Sequence, residues 1–248
     1  MSKPKVALVT GGSSGIGLAI ARRFVSEGIT TVITGRNEEK LRAAASDLGT
    51  LCHALVFDMD WLDQVPDFVQ KVINEHGQID VLVNNAGINQ KKPFLEVTSA
   101  DFDRIVKTNQ TALFVMSREV SRVMLEQEDK GNIIHISSMS AHYGIPQVIA
   151  YTASKSAVEG MTRAMAVDLS PLGVRVNCVA PGFIKTPMSS KAMDSDPARK
   201  EKVLSRTPIG HFGSTSDVAN AVYFLASDQA SFITGEVIKV DGGNSIGF

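Results

Sequence analysis

Tyr151 and Lys155 stand four residues apart in "YTASK", with only small or polar residues between them. On a helix that spacing places both side chains on one face, a turn apart. A tyrosine hydroxyl, with an ordinary pKa of about 10, is a poor acid or base near neutrality. An ammonium group beside it favours the phenolate and lowers that value, so the pair suits proton transfer to or from a substrate oxygen. Ser138, thirteen residues upstream in "HISS", carries a hydroxyl that can donate to an oxygen on which charge develops. Each residue also has an ordinary role open to it. Tyr151 and Lys155 can be solvated helical neighbours, Ser138 a strand-end serine satisfying backbone, and Asn109 in "KTN" a buried structural amide.

A second cluster lies near the start of the chain. "LVTGGSSGIG" places Gly11, Gly15 and Gly17 after an apolar run and at the opening of an amphipathic one. The spacing, G-x-x-x-G-x-G, departs from the G-x-G-x-x-G dinucleotide fingerprint. The physics is shared: glycines allow a tight turn and close backbone approach, and unpaired N–H groups at a helix N-terminus attract a pyrophosphate. Ser13, Ser14 and Ile16 fall inside this loop and join the candidate cofactor residues. At the end of the second strand-like run, "VITGRN", Gly35 stands where an acidic residue would bind a ribose 2′-OH, and Arg36 follows. A guanidinium there accommodates a 2′-phosphate, which favours NADP(H) over NAD(H). Asp58 and Met59, after the third run, complete the adenosine side; Asp58 can accept from the adenine amino group or cap the following helix.

The elements that must hold these groups alternate along the chain. Strand candidates are "KVALVTG", "TTVITG", "HALVFD", "DVLVNNAG", "NIIHISS", "VRVNCVAPG" and "EVIKVDGG". Helix-like stretches run near 15–27, 37–48, 61–76, 99–127, 152–170 and 215–227. Strands apolar on both faces predict a parallel sheet covered on both sides by helices, an α/β domain. Asn37, Thr98 or Ser99, and Ser214 or Thr215 stand where helix N-caps belong. Residues 183–212 fit neither pattern and read as a long irregular insertion, a substrate lid over one single domain spanning 1–248.

Bulk properties narrow the function. A chain of 248 residues with 44% hydrophobic residues can bury a sizeable single core. A formal charge of −1 argues against nucleic acid or an anionic membrane as partner. Cys52 and Cys178 each lie in apolar runs and read as buried hydrophobes in a reducing compartment. The opening "MSKPKVALVTGG" enters a strand directly, so the expectation is a cytoplasmic protein without a secretory leader. The five histidines show no metal-ligand spacing, and no metal site is expected.

Taken together, "TGGSSGIG" at 10–17, "NNAG" at 84–87, Asn109, the serine pair of "HISS", "YTASK" and "PGFIKTPM" at 181–188 identify a resemblance. In that order and spacing they resemble the short-chain dehydrogenase/reductase family from Val6 to about Gly243. The resemblance implies a single-domain, Rossmann-like doubly wound sheet of about seven parallel strands, a length of chain that the fold accommodates. It implies an oxidoreductase that interconverts a secondary alcohol and a ketone, with Asn109, Ser138, Tyr151 and Lys155 as the catalytic set. Asn109 would serve a water-mediated proton path beyond Lys155. Asn85, Ala86 and Gly87 would wall the adenosine ribose, and Pro181, Gly182, Ile184 and Thr186 would line the nicotinamide side. It also implies a homotetramer, or failing that a homodimer, built on the long central helices.

The substrate is less sharply drawn. Ser138, His142, Gln147 and Tyr151 are the candidate substrate residues, with Asn89, Gln90, Lys91, Lys92, Ser140, Ile145 and the stretch 187–206 around them. His142 can line the cleft or sit on a loop surface. The polar, basic "INQKKP", with "GFIKTPM" and "SRTPIG", is similar to gluconate 5-dehydrogenases and suits a sugar acid. "SDQASFITGEVIKVDGG" is similar to 3-oxoacyl-carrier-protein reductases, the alternative. Lys91, Lys92 and Arg206 can meet an anionic group in either case, or be solvated loop charges. A non-catalytic NADP(H)-binding protein is the remaining alternative; loss of Tyr151 or Lys155 would favour it, and both are present.

Overall fold

The structure, a computed structural model, describes residues 4–186 and 197–247. Seven strands form one parallel sheet: β1 (Val6–Thr10), β2 (Thr30–Gly35), β3 (Cys52–Val56), β4 (Val81–Asn84), β5 (Asn132–Ile136), β6 (Arg175–Pro181) and β7 (Val237–Val240). Their order is β3-β2-β1-β4-β5-β6-β7. Alternate residues face opposite ways along a strand, so a strand covered on both sides reads as a near-continuous apolar run. Ala7 and Val9 of β1 enter one core layer with Ile33, Val83 and Val179, while Leu8 between them enters the other with Val32, Leu82 and Val176.

Helices α1 (Gly15–Ser26), α2 (Glu38–Leu48) and α8 (Thr215–Ala226) cover the first layer. Helices α3 (Val65–His76), α5 (Ala112–Glu126) and α6 (Ile149–Leu169) cover the second. The expected caps are in place. Asn37 accepts from the Lys40 N–H at 2.8 Å. Thr98 and Ser214 form reciprocal capping boxes with Asp101 and Asp217.

Three helical expectations are corrected. The stretch 99–127 is not one helix: α4 (Ser99–Val106) and α5 are joined by a π-helical turn, Lys107–Thr111. Helix α6 begins at Ile149 rather than 152, which puts Tyr151 inside its first turn. The insertion 183–212 is not irregular throughout, because Pro197–Ser205 forms α7. Its sequence, "PARKEKVLS", opens with proline, tolerated at a first helical position, and continues in strong helix formers. Residues 187–196, the first part of the expected lid, lie outside the described residues.

The chain steps outward from β1 to β3, then returns to begin β4 on the other side of β1. This reversal opens a crevice at the carboxyl ends of β1 and β4, where ligands bind in open α/β sheets. Among the described residues no helix is long and apolar enough to cross a membrane.

Candidate active site

The glycine-rich loop leaves β1 at the edge of the crevice. Gly11 and Gly15 have φ of 68° and 57°, a left-handed backbone that side chains disfavour. A Cβ on Gly17 would lie 2.3 Å from the Gly11 carbonyl oxygen, so only glycine lets the first turn of α1 close on the loop. Gly12, which the sequence reading did not single out, is as constrained: its Cβ would lie 2.6 Å from Ile33 Cβ. Asn85 fastens the loop to β4. Its Nδ2 donates to the carbonyls of Thr10 and Gly11 at 2.9 and 3.1 Å. Thr10 Oγ1 accepts from the Asn85 and Ala86 N–H groups, each at 3.0 Å. Ile16 packs against the core and anchors the loop from beneath.

Ser14 takes the N-cap position of α1 in an extended conformation and makes no side-chain cap. The first-turn N–H groups of α1 are therefore left for a ligand, and no Cβ fills the space before them. This cradle fits the pyrophosphate of a dinucleotide. On its adenosine side, a Cβ on Gly35 would lie 3.5 Å from Ser13 Oγ, and Arg36 is exposed, in none of the ion pairs among the described residues. Asp58 caps neither of the helices that follow; Oδ1 accepts from Asp60 N–H at 3.1 Å and closes its own turn. The Met59 side chain is buried in the core, which leaves only its backbone for the crevice.

On the far side of the crevice stand the chemistry-bearing residues. The Ser138 hydroxyl, at the carboxyl end of β5, accepts from Ser140 N–H at 3.1 Å and stands near enough to the Tyr151 side chain to influence its hydroxyl. Lys155 is buried, and its Nζ donates to the Ile136 carbonyl at 2.7 Å. Nζ also lies over the Tyr151 ring, 5.7 Å from its centroid. Burial pushes the Tyr151 hydroxyl up, with the Ser138 hydroxyl opposing it. Burial brings the Lys155 amine down to about 8.

Asn109 sits buried in the π-helical turn and acts as a brace. Its Oδ1 accepts from Ile88 N–H at 2.8 Å, and its Nδ2 donates to the Ile88 carbonyl at 2.9 Å and to Ser154 Oγ at 3.0 Å. Ser154 in turn donates to the Tyr151 carbonyl at 2.8 Å. The small residues of "YTASK" thus tie α6 to the loop after β4. A Cβ on Gly87 would lie 3.2 Å from Asn109 Oδ1 and 3.6 Å from Lys155 Nζ, so this glycine lets the two approach.

Residues 11–245 match the family model described as enoyl-(acyl carrier protein) reductase. Over 242 residues the chain is 40% identical to 3-oxoacyl-(acyl-carrier-protein) reductase FabG of Thermotoga maritima, covering 96% of this chain and 97% of that protein. The chain is a short-chain dehydrogenase/reductase. It is also 36% identical to gluconate 5-dehydrogenase of Gluconobacter oxydans, over 97% of this chain and 94% of that one. Among solved structures, a putative short-chain alcohol dehydrogenase from Sinorhizobium meliloti superposes with a TM-score of 0.94 at 33% identity, covering 100% and 98% of the two chains. Members of the short-chain dehydrogenase/reductase family are oxidoreductases acting on CH–OH groups with a nicotinamide cofactor.

As in the family's motif order, the segment after β6 returns to the glycine-rich loop. Gly182 N–H donates to the Val240 carbonyl at 2.9 Å as Pro181 ends the strand. Ile184 is buried and bridges to Gly213. Thr186 Cγ2 comes within 3.9 Å of a Cβ placed on Gly15, so the loop reaches across to the cradle.

The substrate side differs from expectation at Lys92. Its ammonium pairs with Asp101 Oδ2 at 2.7 Å, and Gln90 donates to Asp101 Oδ1 at 2.8 Å. Hydrogen bonds from Lys92, Gln90 and Thr98 hold the Asp101 carboxyl well below the usual carboxylate range. Lys92 and Gln90 are therefore spent on fixing their own loop, while Lys91 and Arg206 remain exposed. Lys92 N–H also donates to the Gln147 carbonyl at 2.8 Å, and Gln147 has φ of 66°. His142 Nε2 lies 3.0 Å from Glu159 Oε1 rather than standing free on the loop. Ser140 and Ile145 flank it, Ser140 buried and Ile145 partly so. Sequence reasoning passed over Glu159, although it follows Lys155 by one helical turn, and took Ser137 only as one of the serine pair of "HISS".

Proposed function

We propose that the chain interconverts a secondary alcohol and a ketone with NADP(H), Tyr151 acting as general acid and base. The observation that carries this is that the Ser138 hydroxyl and the Tyr151 side chain stand together at the crevice that the glycine-rich loop also borders, with Ser138 opposing the upward push of burial on the phenol. Two hydroxyls in that relation can share one substrate oxygen. Ser138 donates to the oxygen as charge grows on it, and Tyr151 delivers or removes its proton. When bound, the cofactor supplies or accepts the hydride. The residues suited to holding it are Gly11, Ser13, Ser14, Gly15, Ile16 and Gly17 at the pyrophosphate, Arg36 at the 2′-phosphate, and Ile184 and Thr186 at the carboxamide. Asp58, the Met59 backbone and Asn85 to Gly87 border the adenosine.

Lys155 is the proton partner of Tyr151. A buried amine near 8 changes protonation close to neutrality, and a bound ribose hydroxyl can bridge it to the phenol. Asn109 is assigned to the same proton path through the groups it braces. Arg36 has no acidic neighbour in "TGRN" to repel a 2′-phosphate, which supports NADP(H).

For the substrate, a hydroxylated acid such as a sugar acid fits best. Lys91 and Arg206 remain free to meet an anionic end, and the polar loop after β4 is preset. A 3-oxoacyl thioester is the second reading, favoured by the 40% identity to the Thermotoga maritima reductase. Exposed Phe114 on α5 and Val167 on α6 suit assembly into a homotetramer, the apolar faces covered by neighbouring copies.

The test is nicotinamide absorbance with sugar acids, polyols, acyl thioesters and simple ketones, run with both cofactors. The expected result is turnover of at least one hydroxylated acid or its keto form, with kcat/KM roughly tenfold better for NADP(H), the scale of one charged contact. Cofactor binding without turnover of any substrate would overturn the proposal, and a preference for NAD(H) would overturn its cofactor assignment.

A further inference from the structure

One buried carboxyl group in this region serves neither hydride nor proton transfer in the scheme above. Glu159 lies on α6, one turn beyond Lys155 and two beyond Tyr151, and is buried. Its Oε1 accepts from Ser137 Oγ at 2.8 Å and faces His142 Nε2 at 3.0 Å. Ser137 adjoins Ser138 at the end of β5, and its hydroxyl also lies 3.2 Å from the Lys155 carbonyl. His142 belongs to the loop 139–148, which leads from Ser138 to the start of α6 and borders the substrate side. One oxygen atom thus joins the serine strand, the helix carrying Tyr151, and the loop that connects them.

A buried carboxyl group costs stability unless its oxygens are hydrogen-bonded, so its partners are held strongly in place. The loop has a second tie at its far end. Gln147 keeps φ of 66°, a left-handed conformation that a non-glycine residue adopts when its surroundings impose it. Its carbonyl is held there by Lys92 N–H at 2.8 Å. The Lys92 side chain is in turn anchored on Asp101. The loop is therefore pinned at His142 to α6 and at Gln147 to the segment after β4.

We propose that Glu159 is a positioning residue for substrate recognition, acting through His142. By fixing the imidazole against α6 it sets the distance between the 139–148 wall and the Tyr151 hydroxyl, so a bound carbonyl meets Ser138 and Tyr151 together. Preset geometry of this kind lowers the ordering cost of substrate binding and leaves the cofactor cradle, on the other side of the crevice, untouched. This inference rests on the reductase reading of the same site.

The test is a mutant cycle with the best substrate from the panel and with NADPH fluorescence for cofactor affinity. His142→Ala and Glu159→Leu should each raise substrate KM about tenfold, as loss of one hydrogen bond to a charged group predicts, and lower kcat no more than about threefold. The double variant should be no worse than either single one, because both remove the same contact. Glu159→Gln keeps an acceptor oxygen and should retain a KM near wild type, while NADPH affinity stays within twofold throughout. Unchanged KM in His142→Ala, or effects that multiply in the double variant, would overturn the proposal. If Glu159→Leu does not fold, the single variants carry the test: His142→Ala should raise substrate KM about tenfold with Glu159→Gln near wild type, and unchanged KM in the first or a roughly tenfold rise in the second overturns the proposal. Failure of wild type to turn over any substrate would instead strike the proposed function, before any variant is compared.

Discussion

Lys155 shows how a single buried group couples chemistry to stability. Burial lowers its amine from 10.5 to about 8. Between those values the unfolded chain holds a proton that the folded chain has released, so the unfolded state binds more protons there. Stability therefore rises as pH climbs through this window, and the penalty is fully present below it. Cys52 and Cys178, pushed from 9.0 up to about 11 and about 12 by burial, act in the opposite sense above pH 9. Comparing wild type with Lys155→Met isolates the amine from the thiols. In urea unfolding, the variant should gain most over wild type near pH 7 and lose that advantage towards pH 10. An advantage that does not change with pH would contradict the burial argument. The motif showed that Lys155 and Tyr151 share a helix face. It did not show that the ammonium lies over the ring, because the Ile136 carbonyl that draws it there belongs to a strand some twenty residues away.

At the scale of elements, the π-helical turn Lys107–Thr111 is the least expected feature. Wide turns of this kind concentrate at functional sites, and this one aims Asn109 at Ile88 and Ser154. Asn109→Ala removes the acceptor for Ile88 N–H and the donor for its carbonyl. We expect a loss of roughly 1–3 kcal/mol in urea unfolding, the cost of unpaired backbone groups. A loss below about 0.5 kcal/mol, the ordinary range for a surface change, would show that the amide is not bracing this loop. The turn was invisible in "DFDRIVKTNQTALFVM", whose apolar spacing continues through it as a helix would. The strands were legible for the converse reason: strands buried on both faces are predominantly apolar and β-branched, and their few buried polar residues, such as Thr31, His135 and Asn177, do not break the run. The Lys92–Asp101 pair was hidden because its members lie on a loop and a capping box that only tertiary folding brings together. The α7 helix was hidden by its polarity, since nothing in "PARKEKVLS" marks a wide apolar face.

The whole molecule places two independent constructions on opposite sides of one crevice. Glycines at 11, 12, 15 and 17 and the uncapped start of α1 form the anion cradle beside β1. Beyond β4, the ends of β5 and the first turn of α6 present Ser138 and Tyr151. Sequence order alone separates these groups by more than a hundred residues; the reversal of strand order brings them to the same edge. Both halves were readable as motifs, and their meeting followed from the parallel sheet. The shape of the substrate wall was not readable, because it depends on ties such as Glu159–His142 that join different elements. The most direct test of the account is single-turnover reduction of the best panel substrate by wild type and by Tyr151→Phe, with NADPH affinity measured on both. Turnover should fall about a thousandfold in Tyr151→Phe, the scale of general acid catalysis, while the variant binds NADPH as wild type does. Turnover in Tyr151→Phe within tenfold of wild type, with NADPH bound equally well, would contradict it.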